Sequence, residues 1–388
     1  MTQLPGTPAT PAPADTGAHD DIVYPSAVPF LLIHLAAFAA ILTGITARAL
    51  ILCAVLYVVR MFGVTAGYHR FFSHRAFAAG RRMQLVLAVL AQSTAQKSVL
   101  WWAAKHRHHH RHADTPEDVH SPRHAGFAYS HLGWIFARKH DQADLSVVPD
   151  LTRWPELVWL HRHEHVPALA VALLSLAIAG WPGLVVGFVW STVLVYHATF
   201  AINSLAHVRG SRRYVTGDDS RNNWLLAILT MGEGWHNNHH AFQSSARQGF
   251  RWWEVDMTFY ILKVLAMAGL VRGLKNPPGG VIRGEQRLGA KVIARTAEQL
   301  ADRFCAERIA ARLRAAWPEH ELAGLRAMLA DPAAAAAQMW SRYHPQLPGR
   351  EALLAEARTL FARTPSLDEI VDRAHQRMLV AVGRQLAA

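Results

Sequence analysis

Cysteine is nearly absent. Among 388 residues only Cys53 and Cys305 occur, the first inside an apolar run and the second in a distal helical stretch. Neither a disulfide framework nor a CxxC metal or redox motif can form, so a bound metal must be held by nitrogen or oxygen. Acidic residues are also few: 28 Asp and Glu stand against 40 Lys and Arg, a formal charge of +12. Residues 1–25, rich in Pro, Ala and Thr, lack the basic segment of a secretory signal and read as a disordered arm. Charge is missing altogether from PFLLIHLAAFAAILTGI (29–45) and LVVGFVWSTVLVYHATFAI (184–202). Runs of that length can cross a hydrocarbon layer ~30 Å thick.

These runs do not stand alone. ALILCAVLYVVRMFGVTAG (49–67) follows the first, and 166–181 precedes the second. Two closely spaced pairs predict membrane hairpins, with spans at about 28–46, 48–66, 166–181 and 183–202. The stretches 69–82, 105–165 and 207–223 are rich in Arg, Lys and His. Positive-inside bias puts those loops and both termini in the cytoplasm, where the charge suits anionic headgroups or an anionic substrate. Basic residues that flank spans argue against a nucleic-acid partner. From about residue 284 the composition turns to Ala, Arg, Glu and Leu with helical periodicity, which predicts a soluble helical extension over 284–388 with no legible chemistry.

What is abundant is histidine, 24 residues in all, mostly in short clusters. HRFFSH carries His69 and His74. Five residues on a straight helix leave two rings about 140° apart, so the pair converges only if the helix bends or ends there, or if it serves two metals. In KHRHHHRHAD (105–114), taking His106 as zero, His109 lies at about 300° and His110 at about 40°. His108 and His112, at about 200° and 240°, face the other way. HxxHH therefore presents three imidazoles on one face, and the adjacent pair diverges enough to reach two neighbouring ions. GEGWHNNHHAF repeats that spacing with His236, His239 and His240, and NSLAH sets Asn203 and His207 one turn apart.

Two spans separate the second and third clusters, so both lie on one side of the membrane. The first can join them only if 83–104, interrupted by Gln84, Gln92, Thr94, Gln96 and Lys97, does not cross. Eight or nine imidazoles are too many for one ion and suggest two ions with four or five nitrogens each. Ligand type alone leaves iron, copper, nickel and zinc open. Such a site beside apolar surface fits oxygen chemistry on a lipid chain. Asp114, Glu117 and Asp118 could be carboxylate ligands, but read rather as acceptors that orient ligand imidazoles or as partners of nearby Arg residues. His131, His140, His161, His163 and His165 read as lying outside the metal shell, and Lys105 and Arg107 as meeting headgroups or carrier phosphates.

HRFFSH, HRHHHRHADTPEDVHSP, NSLAH and GEGWHNNHH, with SHLGWIFARKH (130–140), resemble the histidine boxes of the membrane fatty acyl desaturases. The resemblance runs over about residues 25–270 and is strongest to bacterial Δ9 acyl-CoA (stearoyl-CoA type) enzymes. It implies an all-α integral membrane fold with four transmembrane helices and a cytosolic helical cap in a desaturase unit of about 26–275, set in a bacterial cytoplasmic membrane. It implies a di-iron enzyme (Fe2+/Fe3+) that inserts a cis double bond into an acyl-CoA using O2 and electrons from a separate ferredoxin, rubredoxin or cytochrome b5 type protein. The implied iron ligands are His69, His74, His106, His109, His110, His207, His236, His239 and His240, with Asn203 holding a metal-bound water. Trp102 and Thr199 match positions shaping the acyl tunnel, and Arg162 matches a basic position that contacts the nucleotide head. Phe200 and Ala104 depart from the Trp and Arg of the animal enzymes. The alternatives are an acyl-lipid or acyl-carrier-protein desaturase, a related di-iron hydroxylase, or a non-enzymatic metal-handling membrane protein.

Overall fold

The computed structural model describes residues 28–329 and 347–388. The disordered-arm reading of 1–25 lies outside them. The described residues are mostly helical. Their one sheet pairs Ala78–Ala79 antiparallel with Val271–Arg272, in agreement with the all-α expectation.

Helix α1 (Val28–Ala36) runs on through two short turns to Thr43, where Gly44 at φ 76° ends it. Thr46 caps α2 (Ala47–Phe62), its hydroxyl accepting the Ala49 amide at 3.2 Å. This helix outruns the predicted span. Over Gly63–Ser73 the bonding widens to i→i+5, and the rod Ala47–Ser73 reaches 27 residues.

The ambiguous 83–104 segment is two helices, α3 (Arg81–Gln92) and α4 (Val99–His112), neither of them long and apolar enough to cross a bilayer. Ala95 and Lys97 take left-handed φ of 57° and 67° in the turn between them. The polar interruptions hold that turn: the Gln92 amide donates to the Leu160 carbonyl at 3.1 Å and accepts the Val99 amide at 3.2 Å. α3 lies against the rod where Gly63 leaves room, since a Cβ there would be 2.8 Å from the Leu90 carbonyl oxygen.

Helix α5 (Val166–Pro182) breaks at Ala179 and Gly180, the latter at φ 63°. The chain then returns through Gly183–Trp190 into α6 (Ser191–Asn203). A Cβ at Gly183 would overlap the Ser175 carbonyl. Eight residues of straight helix would hold those groups about 12 Å apart, so the two arms fold back on each other. Ala168, Phe188 and Val189 accordingly share one apolar cluster. By length and composition Ala47–Ser73 and Val166–Val208 can cross a bilayer, and Val28–Thr43 is a shorter apolar helix beside them. The outer faces of these helices are bare hydrocarbon: Phe38, Ile41 and Leu42 are 70%, 84% and 88% exposed. Apolar surface this contiguous calls for lipid. Inside, the buried Arg60 donates to the Ser191 and Thr192 hydroxyls and the Ser93 carbonyl at 2.8–3.0 Å, tying α2 to α6.

On the histidine-bearing side follow the short helix α7 (His236–Ala241) and then α8 (Ala290–Asp302). With the helices Ala306–Ala316, Glu319–Leu329, Arg350–Leu360 and Leu367–Ala387, α8 closes around a core of its own, including Leu300, Leu313 and Ile370.

Candidate metal centre

The wide-turned end of the α2 rod delivers the first pair of histidines. The His74 amide bonds the His69 carbonyl at 3.2 Å, an i→i+5 contact. That winding, ending at His74, brings together two rings that a straight α-helix would splay. They meet His106 and His110 of α4 and His239 of α7 in one group of five, all ligand nitrogens within 4.8 Å of one another. Neighbouring Nε2 atoms stand 2.8 Å (His74–His106) and 3.0 Å (His106–His110, His110–His239, His69–His239) apart. His109, His207, His236 and His240 make a second group with the same limit, His207 and His236 Nε2 being 3.1 Å apart.

The two HxxHH motifs are used in opposite senses. On α4 the adjacent pair splits with His110 in the five-group and His109 in the four-group, and on α7 His239 goes to the five-group while His236 and His240 go to the four-group. All nine expected histidines are in the two groups.

Carboxylates orient the rings from behind. Nδ1 of His109 donates to Asp118 at 2.9 Å, that of His207 to Asp114 at 2.8 Å, and that of His240 to Asp218 at 2.8 Å, while His69 pairs with Glu233. A proton held on Nδ1 leaves the Nε2 lone pair pointing inward. Where two such lone pairs meet at the 2.8–3.1 Å that separates these Nε2 atoms, they repel unless a cation sits between them. The His240 Nε2 atom is buried without a protein partner among the described residues. Burial, then neighbouring imidazoles, pushes His74, His106, His110, His236 and His239 well below the usual histidine range, which keeps them neutral and able to ligate. Nitrogen donors without thiolate fit a borderline transition metal and exclude the oxygen cages of calcium or magnesium.

The anchor for Glu233 is a buried charge network. Arg70, 1% exposed, donates to Glu233 at 3.1–3.2 Å, to both Asp256 oxygens at 2.9–3.0 Å and to the Ala246 carbonyl at 2.8 Å. Sequence reasoning found Asp114 and Asp118 but missed Asp218, Glu233 and Arg70; only the position of Glu233 three residues before His236 hinted at it. Glu117 is exposed and offers its backbone carbonyl to His108. His108 and His112 stack on each other at 4.6 Å, away from both groups. Arg107 meets no headgroup: it binds Asp150 at 2.7–2.9 Å and the Phe72, Ser73 and Val147 carbonyls, because its position on α4 faces the end of the rod. His131 and His161 bond Ser204 and Ser98, and His163 a backbone carbonyl.

A cavity of about 290 Å³ opens beside the five-group, walled by Phe30, Trp101, Trp102, Tyr196, Thr199 and Phe200, with His106 and Asn203 at its inner end. A smaller one of about 40 Å³ continues between Trp102, Thr199 and Asn203 to His69, His109 and His236. Trp102 is clamped between Tyr68 (5.2 Å) and His106 (4.8 Å), and Thr199 accepts from Gln96 at 3.2 Å. Arg162 is exposed at the end of the helix Pro155–Arg162 and lines neither cavity. The basic groups on the wall are Lys97, Lys105 and His165, and Lys97 is taken by Asp141 at 3.0 Å.

A family model described as Fatty acid desaturase matches residues 45–272. The sn-1 stearoyl-lipid 9-desaturase of Anabaena variabilis is 37% identical over 249 residues, 63% of this chain and 91% of the relative. The acyl-CoA C20 Delta5-desaturase of Anemone leveillei is 38% identical over 229 residues, 58% of this chain and 73% of the relative. A chloroplastic palmitoyl-monogalactosyldiacylglycerol delta-7 desaturase of Arabidopsis thaliana is 38% identical over 234 residues, 59% and 63% of the two chains. The chain belongs to the fatty acid desaturase family, and is an oxidoreductase of lipid metabolism.

Proposed function

We propose that the protein inserts a cis double bond at Δ9 of a saturated fatty acyl thioester, with acyl-CoA as carrier, at a di-iron centre. The observation that carries this is the pair of imidazole groups, five and four, abutting a cavity with apolar walls. His69, His74, His106, His110 and His239 would hold one iron, and His109, His207, His236 and His240 the other, with Asn203 beside them for a bound water. When bound, the irons supply the oxygen chemistry that an unactivated methylene requires. The chain's own residues do the rest. Trp102 and Thr199 form the passage between the two cavities and set which carbons lie against His69, His106 and His236. Phe30, Tyr196 and Phe200 keep water from the acyl chain. In balance, one –CH2–CH2– unit and O2, with two electrons and two protons, give –CH=CH– and two waters. A separate ferredoxin, rubredoxin or cytochrome b5 type protein provides the electrons.

The apolar belt supports four spans, α1 to Thr43, the rod, and the two hairpin arms. The basic histidine-bearing face and both termini are then on the cytoplasmic side of a bacterial inner membrane. A second reading, an acyl-lipid substrate, is favoured by the placement of Arg162 outside the cavity and of Lys97 against Asp141. Relatives of both kinds exist by name.

Expression in a host lacking the activity, followed by mass spectrometry of fatty acids with double-bond location, tests the reaction. Monounsaturated Δ9 chains are expected, and none with His239→Ala. Recovery of hydroxylated chains alone would sink the desaturase reading. Parallel feeding of labelled acyl-CoA and labelled phospholipid to isolated membranes separates the two carriers. About one zinc per chain and no iron would reject the di-iron assignment.

A further inference from the structure

Helix α8 begins at Ala290, beyond the matched residues 45–272, and its polar contacts fall on the end of α4 and on a loop behind the four-histidine group. The three carboxylates behind the four-group come from two loops. Asp114 and Asp118 follow the end of α4, and Asp218 sits in the turn 216–220. The loops are bonded to each other, since the Asp219 amide donates to Asp114 at 2.8 Å and Arg123 to Asp219 at 2.7 Å.

α8 lies across both. Arg295 donates to the Arg111 carbonyl at 3.0 Å and the Ala113 carbonyl at 3.4 Å, and Lys291 also donates to the Arg111 carbonyl. These are carbonyls at the end of α4, which have no partner within the helix and favour a cation. Gln299 donates to the Gly217 carbonyl at 3.2 Å, next to Asp218. Gly217, at φ +76°, allows this approach: a Cβ there would be 3.3 Å from the Arg295 Cβ and 3.4 Å from the Val292 Cα. Val215 goes further and is buried in the extension's own apolar core. The five-group's carboxylate, Glu233, is held instead by Arg70.

We propose that α8 is a positioning element for the four-histidine group alone: Lys291, Arg295 and Gln299 hold the loops that place Asp114, Asp118 and Asp218 behind His207, His109 and His240. The inference rests on the metal reading given above. Groups behind ligating imidazoles act on metal affinity by about 10–100-fold when lost, so releasing the loops weakens one site and spares the other.

The test uses the full-length, membrane-extracted protein reconstituted with 57Fe. The Arg295→Ala/Gln299→Ala double variant is expected to fall from about two irons per chain toward about one, losing the Mössbauer doublet that Asp218→Asn also loses. Arg295→Lys, which keeps a donor to these carbonyls, should retain most of that doublet. Arg377→Ala, whose ion pair with Glu298 (3.3 Å) lies away from both loops, should leave both doublets intact. A double variant with both doublets unchanged, or with both reduced in proportion, overturns the inference. A parent protein that takes up no iron overturns the metal reading itself, whatever the variants do.

Discussion

Asp218→Asn is the sharpest single perturbation of this centre. One carboxylate oxygen of Asp218 accepts the His240 Nδ1–H at 2.8 Å; the other accepts the Ser220 amide at 3.0 Å and the Thr216 hydroxyl at 2.7 Å. Burial alone would raise its pKa, but the facing His240 imidazole and these bonds hold it well below the usual carboxylate range, so the native group is an anion. In Asn the amide nitrogen must occupy one of the two positions. Placed toward His240 it sets a donor against Nδ1–H, and placed the other way it sets a donor against the Ser220 amide. The imidazole escapes the first clash by moving its proton to Nε2, and then no longer offers a lone pair to the metal. The expected loss is about 10–100-fold in affinity at the four-group, roughly 1.4–2.8 kcal/mol. His69, His74, His106, His110 and His239 have no bond to Asp218, so the five-group should bind as before. Competitive chelator titration of the apo protein with cobalt(II) or iron(II) reads the two sites separately. Equal weakening of both, or weakening of neither, would refute the assignment of Asp218 to one metal position.

Arg70→Met leaves Glu233 and Asp256 buried without their cation. A cost of about 3–5 kcal/mol is expected in a denaturation measured in detergent, and a loss under about 1 kcal/mol would show that the network is not structural. Gly183→Leu forces a side chain into the Ser175 carbonyl at the hairpin. Folded yield should collapse, whereas Gly44→Ala, with nothing within 4 Å of the new Cβ, should pay only its left-handed φ of +76°. Burial would raise Asp150, but the guanidiniums of Arg107 and Arg75 hold it down to about 2, from the ordinary 3.8. A depressed carboxylate contributes stability that is full above about pH 4 and is lost as pH falls through about 2. Asp150→Asn should therefore flatten the acid limb of a stability–pH curve over that window, and an unchanged limb would count against the Arg75–Asp150–Arg107 bracket.

The legible parts were those governed by short-range rules. Helical phase on α4 separated His106, His109 and His110 from His108 and His112, because three to four residues of spacing sets the face a side chain takes. Polar residues at 92–97 argued against a crossing, and the structure uses them to hold the turn between α3 and α4. Arg107 was misread for want of its partner. A guanidinium near a membrane face looks like a headgroup ligand until Asp150, 43 residues later, is seen to take it. Arg162, matched to a position that contacts the nucleotide head, stands exposed at the end of its helix and lines neither cavity.

By itself the sequence limited a bound metal to nitrogen or oxygen donors, since only two isolated cysteines occur, and pointed to nitrogen through histidines that recur at HxxHH spacing. It also determined that the helices carrying those histidines stand beside apolar segments long enough for a bilayer. Only the tertiary structure decided how nine imidazoles divide into five and four. A face on α4 or α7 is a local property, but which neighbour meets it depends on an i→i+5 stretch in the α2 rod and on α4 and α7 docking together across 130 residues. The same holds for Asp114, Asp118, Asp218 and Glu233. Their roles depend on loops closed by Arg70 and by α8, contacts between positions too distant in the chain for any periodicity to encode.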